Sequence, residues 1–151
     1  MSFALPRITL LFALVCVVSC TTPPLVSPEE APSFQQTLAK HIAAVTDRDL
    51  LTYQSTLTDK DDLLLIFPNG KPIETTAGVV DFHRDWFKDK NWIYEPEVVK
   101  VIEGSDMATA VIKYDYRDNA QGEPRSSWLV MVFQLENNEW RLVHDQNTRI
   151  D

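Results

Sequence analysis

Trp128-Leu129-Val130-Met131-Val132-Phe133 and, beyond Glu136-Asn137-Asn138, Trp140-Arg141-Leu142-Val143-His144-Asp145-Gln146-Asn147 decide the fold of this chain. Residues of a strand point to opposite faces in turn, so runs with this two-residue repeat read as β-structure. Working back from them, Ala108, Ala110, Ile112 and Tyr114 form another such run, and Val99 and Val101 after Trp92 form the first. The polar stretches Glu103-Gly104-Ser105-Asp106, Asp118 to Glu123 and Glu136-Asn137-Asn138 separate the four. Connections this short join antiparallel neighbours. Pro96 has no amide proton to donate, which predicts an edge or a bulge in the first strand.

Upstream the pattern changes. Ser33-Phe34-Gln35-Gln36 is a capping box, and Phe34, Leu38, Ile42 and Val45 recur at helical spacing, with Ala39 and His41 bordering their stripe. Thr46-Asp47-Arg48-Asp49 repeats the capping logic, and Leu50, Tyr53 and Leu57 make a second short amphipathic helix. Leu63-Leu64-Leu65-Ile66-Phe67 is a short apolar strand stopped by Pro68-Asn69-Gly70, with a brief return strand through Ile73. Thr75 or Thr76 caps a third helix whose Val79, Phe82, His83 and Trp86 share a face. Helices first and an antiparallel meander last is an α+β order, with the helices on one face of the sheet. The last strands are apolar at both parities, Leu129, Met131 and Phe133 against Trp128, Val130 and Val132. The second face therefore calls for a cover, and a homodimer is the expected one.

The N-terminus reads differently again. Arg7, the apolar run from Ile8 to Val18, small Ser19 and Cys20 have the three-part order of an export signal, and the run is too short to span a bilayer. Val17-Val18-Ser19-Cys20 resembles the lipobox of bacterial lipoproteins. That resemblance implies cleavage before Cys20 and acylation of its thiol and amino group, the two-signal attachment that makes anchoring stable. The alternative is an ordinary secretory signal followed by a free cysteine. Thr21, rather than aspartate, follows the cysteine, which by the family's rule implies the periplasmic face of the outer membrane. The expected division is a signal peptide over 1–19, a lipidated cysteine and proline-rich tether over 20–32, and one domain over 33–151. The four prolines between Cys20 and Ser33 favour a semi-rigid extended spacer.

Composition excludes several classes. The chain has 151 residues, a formal net charge of −8 and two cysteines, Cys16 lying in the leader. No disulfide framework, cysteine redox pair or multi-cysteine zinc site can be built from what remains. Acidity without a basic cluster argues against a nucleic-acid partner. No glycine-rich phosphate loop is present and no cofactor is expected. The three histidines have no close His-x-x-x-His pair, so no metal site is expected.

The order of elements, with Leu63 to Gly70 and the ending Trp140 to Asn147, resembles the nuclear transport factor 2-like superfamily, nearest its SnoaL-like branch, from about Ser33 to Ile150. The resemblance implies a curved sheet wrapped on three helices into a cone with an internal cavity, and frequent dimers. It does not imply one function, since the fold carries isomerases, cyclases, dehydratases, hydrolases and non-catalytic binders. The ketosteroid isomerase-like base falls at Phe67, its tyrosine donor at His41 and its aspartic acid near Met131, so that proton-abstraction apparatus is not expected.

Unbroken alternation from Trp140 and Leu142 places His144 and Gln146 on the inner face and turns Asp145 and Asn147 away. His144 and Gln146 then either touch a ligand at the mouth of the cone or satisfy buried neighbours. His41 and His83 border apolar stripes, as packing or as contacts, and Trp86, Tyr114 and Trp128 are candidate aromatic contacts. The leading expectation is a lipid-anchored envelope protein holding a small, largely apolar molecule. A lyase, isomerase or hydrolase using a pocket histidine, and a protein-interaction module of the envelope, stand beside it.

Overall fold

The computed structural model describes Met1 and residues 32–150; the leader, Cys20 and nearly all of the tether lie outside the described residues. Among the described residues three helices, α1 (Phe34–Asp47), α2 (Leu50–Gln54) and α3 (Thr76–Trp86), accompany six strands. These are β1 (Leu64–Ile66), β2 (Pro72–Ile73), β3 (Ile93–Glu103), β4 (Met107–Arg117), β5 (Arg125–Glu136) and β6 (Glu139–Arg149). They form one sheet in the order β2-β1-β6-β5-β4-β3, antiparallel throughout except where β1 runs parallel to β6. The α+β class and the curved sheet packed on helices are as the sequence predicts.

Local chemistry explains the element ends. Ser33 and Gln36 form the reciprocal capping box of α1, and Asp49 and Thr75 cap α2 and α3, each supplying an acceptor to an amide that has no helical partner. Arg48 closes α1 in the left-handed region at φ 58°. Its guanidinium lies 3.6 Å from the Trp92 ring centroid and donates to the Trp92 carbonyl, tying the end of α1 to the start of β3. Asn137 and Asn138, at φ 49° and 69°, form the two-residue turn between β5 and β6, whose conformation suits the twist of the flanking strands.

Two details depart from the helical pattern. Ala39 is exposed, and Thr37 and Ala44 join the buried face of α1 instead. α2 stops at Gln54, so Leu57 leaves the helix and bridges to Leu142 of β6. Pro96 does lie on an edge strand, and β3 carries its irregularity at Val99.

The core lies between the helices and the inner sheet face. Phe34, with no exposed surface, packs edge-on against Phe133 and Trp140, both at 5.4 Å between centroids. Leu38, Leu57, Leu142 and Ile112 continue the buried layer. At the other end of α1 the layer opens into a cavity.

Candidate functional site

The decisive feature of the site is a β-bulge in β6. Val132 pairs with His144 while Phe133 pairs with Leu142, so Val143 is left without a partner on β5. One extra residue shifts the alternation by one position, and every side chain beyond it changes face. Asp145, Asn147 and Arg149 therefore face the cavity. His144 and Gln146, expected inside, lie on the outer face, where they pair with Val132 and Val130. Trp128, the third misplaced residue, is also on that outer face, 38 % exposed, because its neighbour Leu129 takes the inward position. His41, His83, Trp86 and Tyr114 do line the cavity.

The cavity has a volume of about 270 Å³. Leu65, Phe67, Phe82, Leu129 and Met131 supply much of its apolar wall. Trp86 stacks on Trp92 at 4.4 Å and 17°, which fixes the indole that borders the space. Phe67, His41 and Met131, the positions corresponding to the isomerase apparatus, all line it, and none offers a carboxylate.

Its polar groups follow two lines. The first runs along the helices. Thr56 spends its only proton on the Tyr53 carbonyl at 2.6 Å, so the 2.7 Å contact between Thr56 Oγ1 and His41 Nδ1 has the imidazole as donor. His83 Nδ1 lies 2.8 Å from the Val79 carbonyl, which can only accept. Both rings thus carry their proton on Nδ1 and keep a lone pair on Nε2. Burial, with His83 adding to it, draws His41 down to about 3, and burial takes His83 to about 4. The Tyr53 ring lies 4.1 Å from that of His83 and 5.0 Å from that of His41. Its hydroxyl is buried and has no hydrogen-bond partner among the described residues, and burial, with the nearby Asp145 and Tyr94, pushes its pKa well up.

The second line runs down β6. Asn147 donates to Asp145 Oδ1 at 2.7 Å and to the Ile66 carbonyl at 3.0 Å, and accepts from the Tyr114 hydroxyl at 2.9 Å. Burial lifts the Asp145 carboxyl to about 7, with the Asn147 bond pulling the other way. Arg149 completes this face. Arg125, from β5, is held by Asp118 through two bonds of 2.7 Å and lies 5.2 Å from the Tyr116 ring centroid. Among the described residues no group of three or more His, Cys, Asp or Glu side chains gathers as a metal-holding set.

Sequence reasoning missed Asp145, Asn147 and Arg149 because it assumed unbroken alternation. The adjacent apolar pair Leu142-Val143 does not mark the slip, because such pairs also run through β4 and β5, which pair in unbroken register. Tyr53 was visible as a member of a helical stripe, with nothing to show that its hydroxyl would be unpaired.

Comparison with known proteins adds the following. Among curated proteins no relative matches the chain. The domain described as a calcium/calmodulin-dependent protein kinase type II association domain from Thiobacillus denitrificans superposes with a TM-score of 0.70 at 19% identity, over 80% of this chain and 98% of that one. A ketosteroid isomerase-like protein from Erwinia carotovora atroseptica gives 0.64 at 15% identity, over 82% and 98%. A protein described as a dehydratase of the nuclear transport factor 2-like family, from Streptomyces avermitilis, gives 0.66 at 12%, over 76% and 91%. Identities this low carry the fold alone. The family model of the SnoaL-like domain matches residues 35–147, and the chain belongs to that family.

Proposed function

We propose that this protein binds a small, largely apolar molecule in the cavity between its helices and the inner face of its sheet. The observation that carries this reading is a cavity of about 270 Å³ with aromatic and aliphatic walls and a few fixed polar groups, among them Asn147 and the two histidines His41 and His83. Ligand pockets have this make-up, at volumes of roughly 300–1,000 Å³. Imidazoles drawn down to about 3 and 4 are poor bases at neutral pH, and this weighs against an enzyme using a pocket histidine.

The same proposal includes a homodimer and a lipid anchor. The outer sheet face aligns Val111, Val130 and Val132 with Trp128 beside them, and Ile102 at its edge is 61 % exposed. A second copy seated there would cover what the helices leave bare. Cys20 would hold the protein at the envelope, with Thr21 pointing to the outer membrane.

Native mass spectrometry of the full chain, purified from its own host and released from mild detergent, is expected to give a dimer carrying a retained small molecule. A ligand-free mass throughout would count against the binding reading, and a monomer against the dimer. Metabolic labelling with a fatty acid is expected to mark the wild-type chain and to leave Cys20→Ala unmarked. Undiminished label in that variant would overturn the anchor.

A further inference from the structure

We propose that the molecule held in this cavity has an apolar body and a single anionic head group, a carboxylate or a chemical equivalent, which Arg149 receives at the mouth. This deepens the binding reading above and rests on it.

The distribution of charge along the cavity carries the inference. Of its lining residues only Arg125, Asp145 and Arg149 bear fully ionisable acid or guanidinium groups, with no lysine or glutamate among them. A chain of net charge −8 thus places two arginines around its cavity. They are not equivalent. Arg125 is committed, its fork matched by the Asp118 carboxylate through two bonds. Arg149 is exposed and makes no hydrogen bond or ion pair among the described residues. A guanidinium is always charged and offers paired donors at the spacing of a carboxylate's two oxygens.

The other end of the cavity decides which way such a molecule enters. Both imidazoles there are neutral and bonded through Nδ1 to the protein, and the Tyr53 ring lies between them, wholly buried. A charged head placed among these groups would leave water without gaining a counter-charge, which is strongly unfavourable. The apolar body therefore leads and the charge trails. Asn147 is saturated by Tyr114, Asp145 and the Ile66 carbonyl, so it stiffens the strip rather than competing for the head. Arg149 lies two residues further along the same face, about 7 Å on. The cavity's small volume suits a short aromatic or alicyclic acid better than a long acyl chain lying wholly inside.

The test uses two probes of one shape, 2-naphthoate and 2-naphthamide, titrated calorimetrically into the full chain in mild detergent with the empty micelle as blank. Wild type is expected to bind the naphthoate at least fivefold more tightly than the amide. In Arg149→Gln, whose melting curve reports that it folds, naphthoate affinity should fall about tenfold while naphthamide affinity stays within twofold. Equal affinity of the two probes for wild type, or equal loss of both in the variant, would overturn the anionic head and leave the binding reading standing. No binding of either probe up to millimolar concentration would overturn both for bodies of this size.

Discussion

Phe34→Ala is expected to lower the unfolding free energy by about 3–5 kcal/mol, the range for removing a buried aromatic ring from a core that collapses only partly into the space. Phe34 has no exposed surface, and its ring is the joint between the first turn of α1 and the far ends of β5 and β6, where Phe133 and Trp140 meet it edge-on at 5.4 Å. Those two aromatic contacts are worth about 0.5–1.5 kcal/mol each beyond area alone, which places the loss toward the upper part of the range. A domain of this size has a total stability of about 5–15 kcal/mol, so the variant keeps its fold with a reduced margin. Urea denaturation followed by tryptophan fluorescence measures it, with an unchanged slope showing that the same surface is exposed. A loss below about 1 kcal/mol would mean that α1 is docked by something other than this ring. Phe34 does not line the cavity, so ligand affinity of the folded variant should be retained.

The second large effect is a pH dependence in which two kinds of buried group oppose each other. His41 and His83 are held at about 3 and about 4, below the 6.5 of an exposed imidazole. Between about pH 4 and 6.5 the unfolded chain binds two protons that the folded chain refuses. Stability from this source is complete above about pH 6.5 and is lost as pH falls. Asp145 works the other way, since its carboxyl sits near 7 when folded against 3.8 in the open chain. The folded state holds that proton where the unfolded state has released it, so its contribution is complete below pH 3.8 and is lost as pH rises through 7. In the window from pH 4.5 to 6 two protons taken up on unfolding stand against one released, and stability should rise with pH by about 1.4 kcal/mol per pH unit. Asp145→Asn keeps an acceptor for Asn147 and removes the opposing proton. Its slope in the same window should approach about 2.7 kcal/mol per pH unit. At pH 9 the variant should exceed wild type by an amount on the order of a few kcal/mol, because a buried charge is gone. Denaturation curves from pH 4.5 to 9 decide the matter, and equal slopes for the two proteins would show that Asp145 is ionised like a surface carboxylate.

Much of the fold was legible because its signals are local. The capping box at Ser33 and Gln36 needs only four residues, and the Asn137-Asn138 turn only two. β4 and β5 announce themselves by alternation, since every second residue is buried along most of their length. The cavity was less legible because its chemistry depends on which face a residue takes after a break in that alternation. His41 and His83 could be placed beside the core from helical spacing, but their proton positions depend on Thr56 and on the Val79 carbonyl, contacts that spacing does not reveal. Trp128 was the expected aromatic contact from β5, and only the pairing of β5 with its neighbours shows that Leu129 takes the inward position instead.

The unpaired Val143 acts on β6 as an inserted base acts on a reading frame: everything downstream keeps its spelling and changes its meaning. With it, the end of the strand presents acid, amide and guanidinium to the interior; remove it, and imidazole and a different amide would turn inward from the same string of letters. The chemical character of the hollow can thus be rewritten by gain or loss of one residue within a strand, with the scaffold and the composition almost untouched. Relatives that share this architecture can therefore diverge in what they hold through register alone, and comparing their last strands column by column will mislead wherever the kink is not shared.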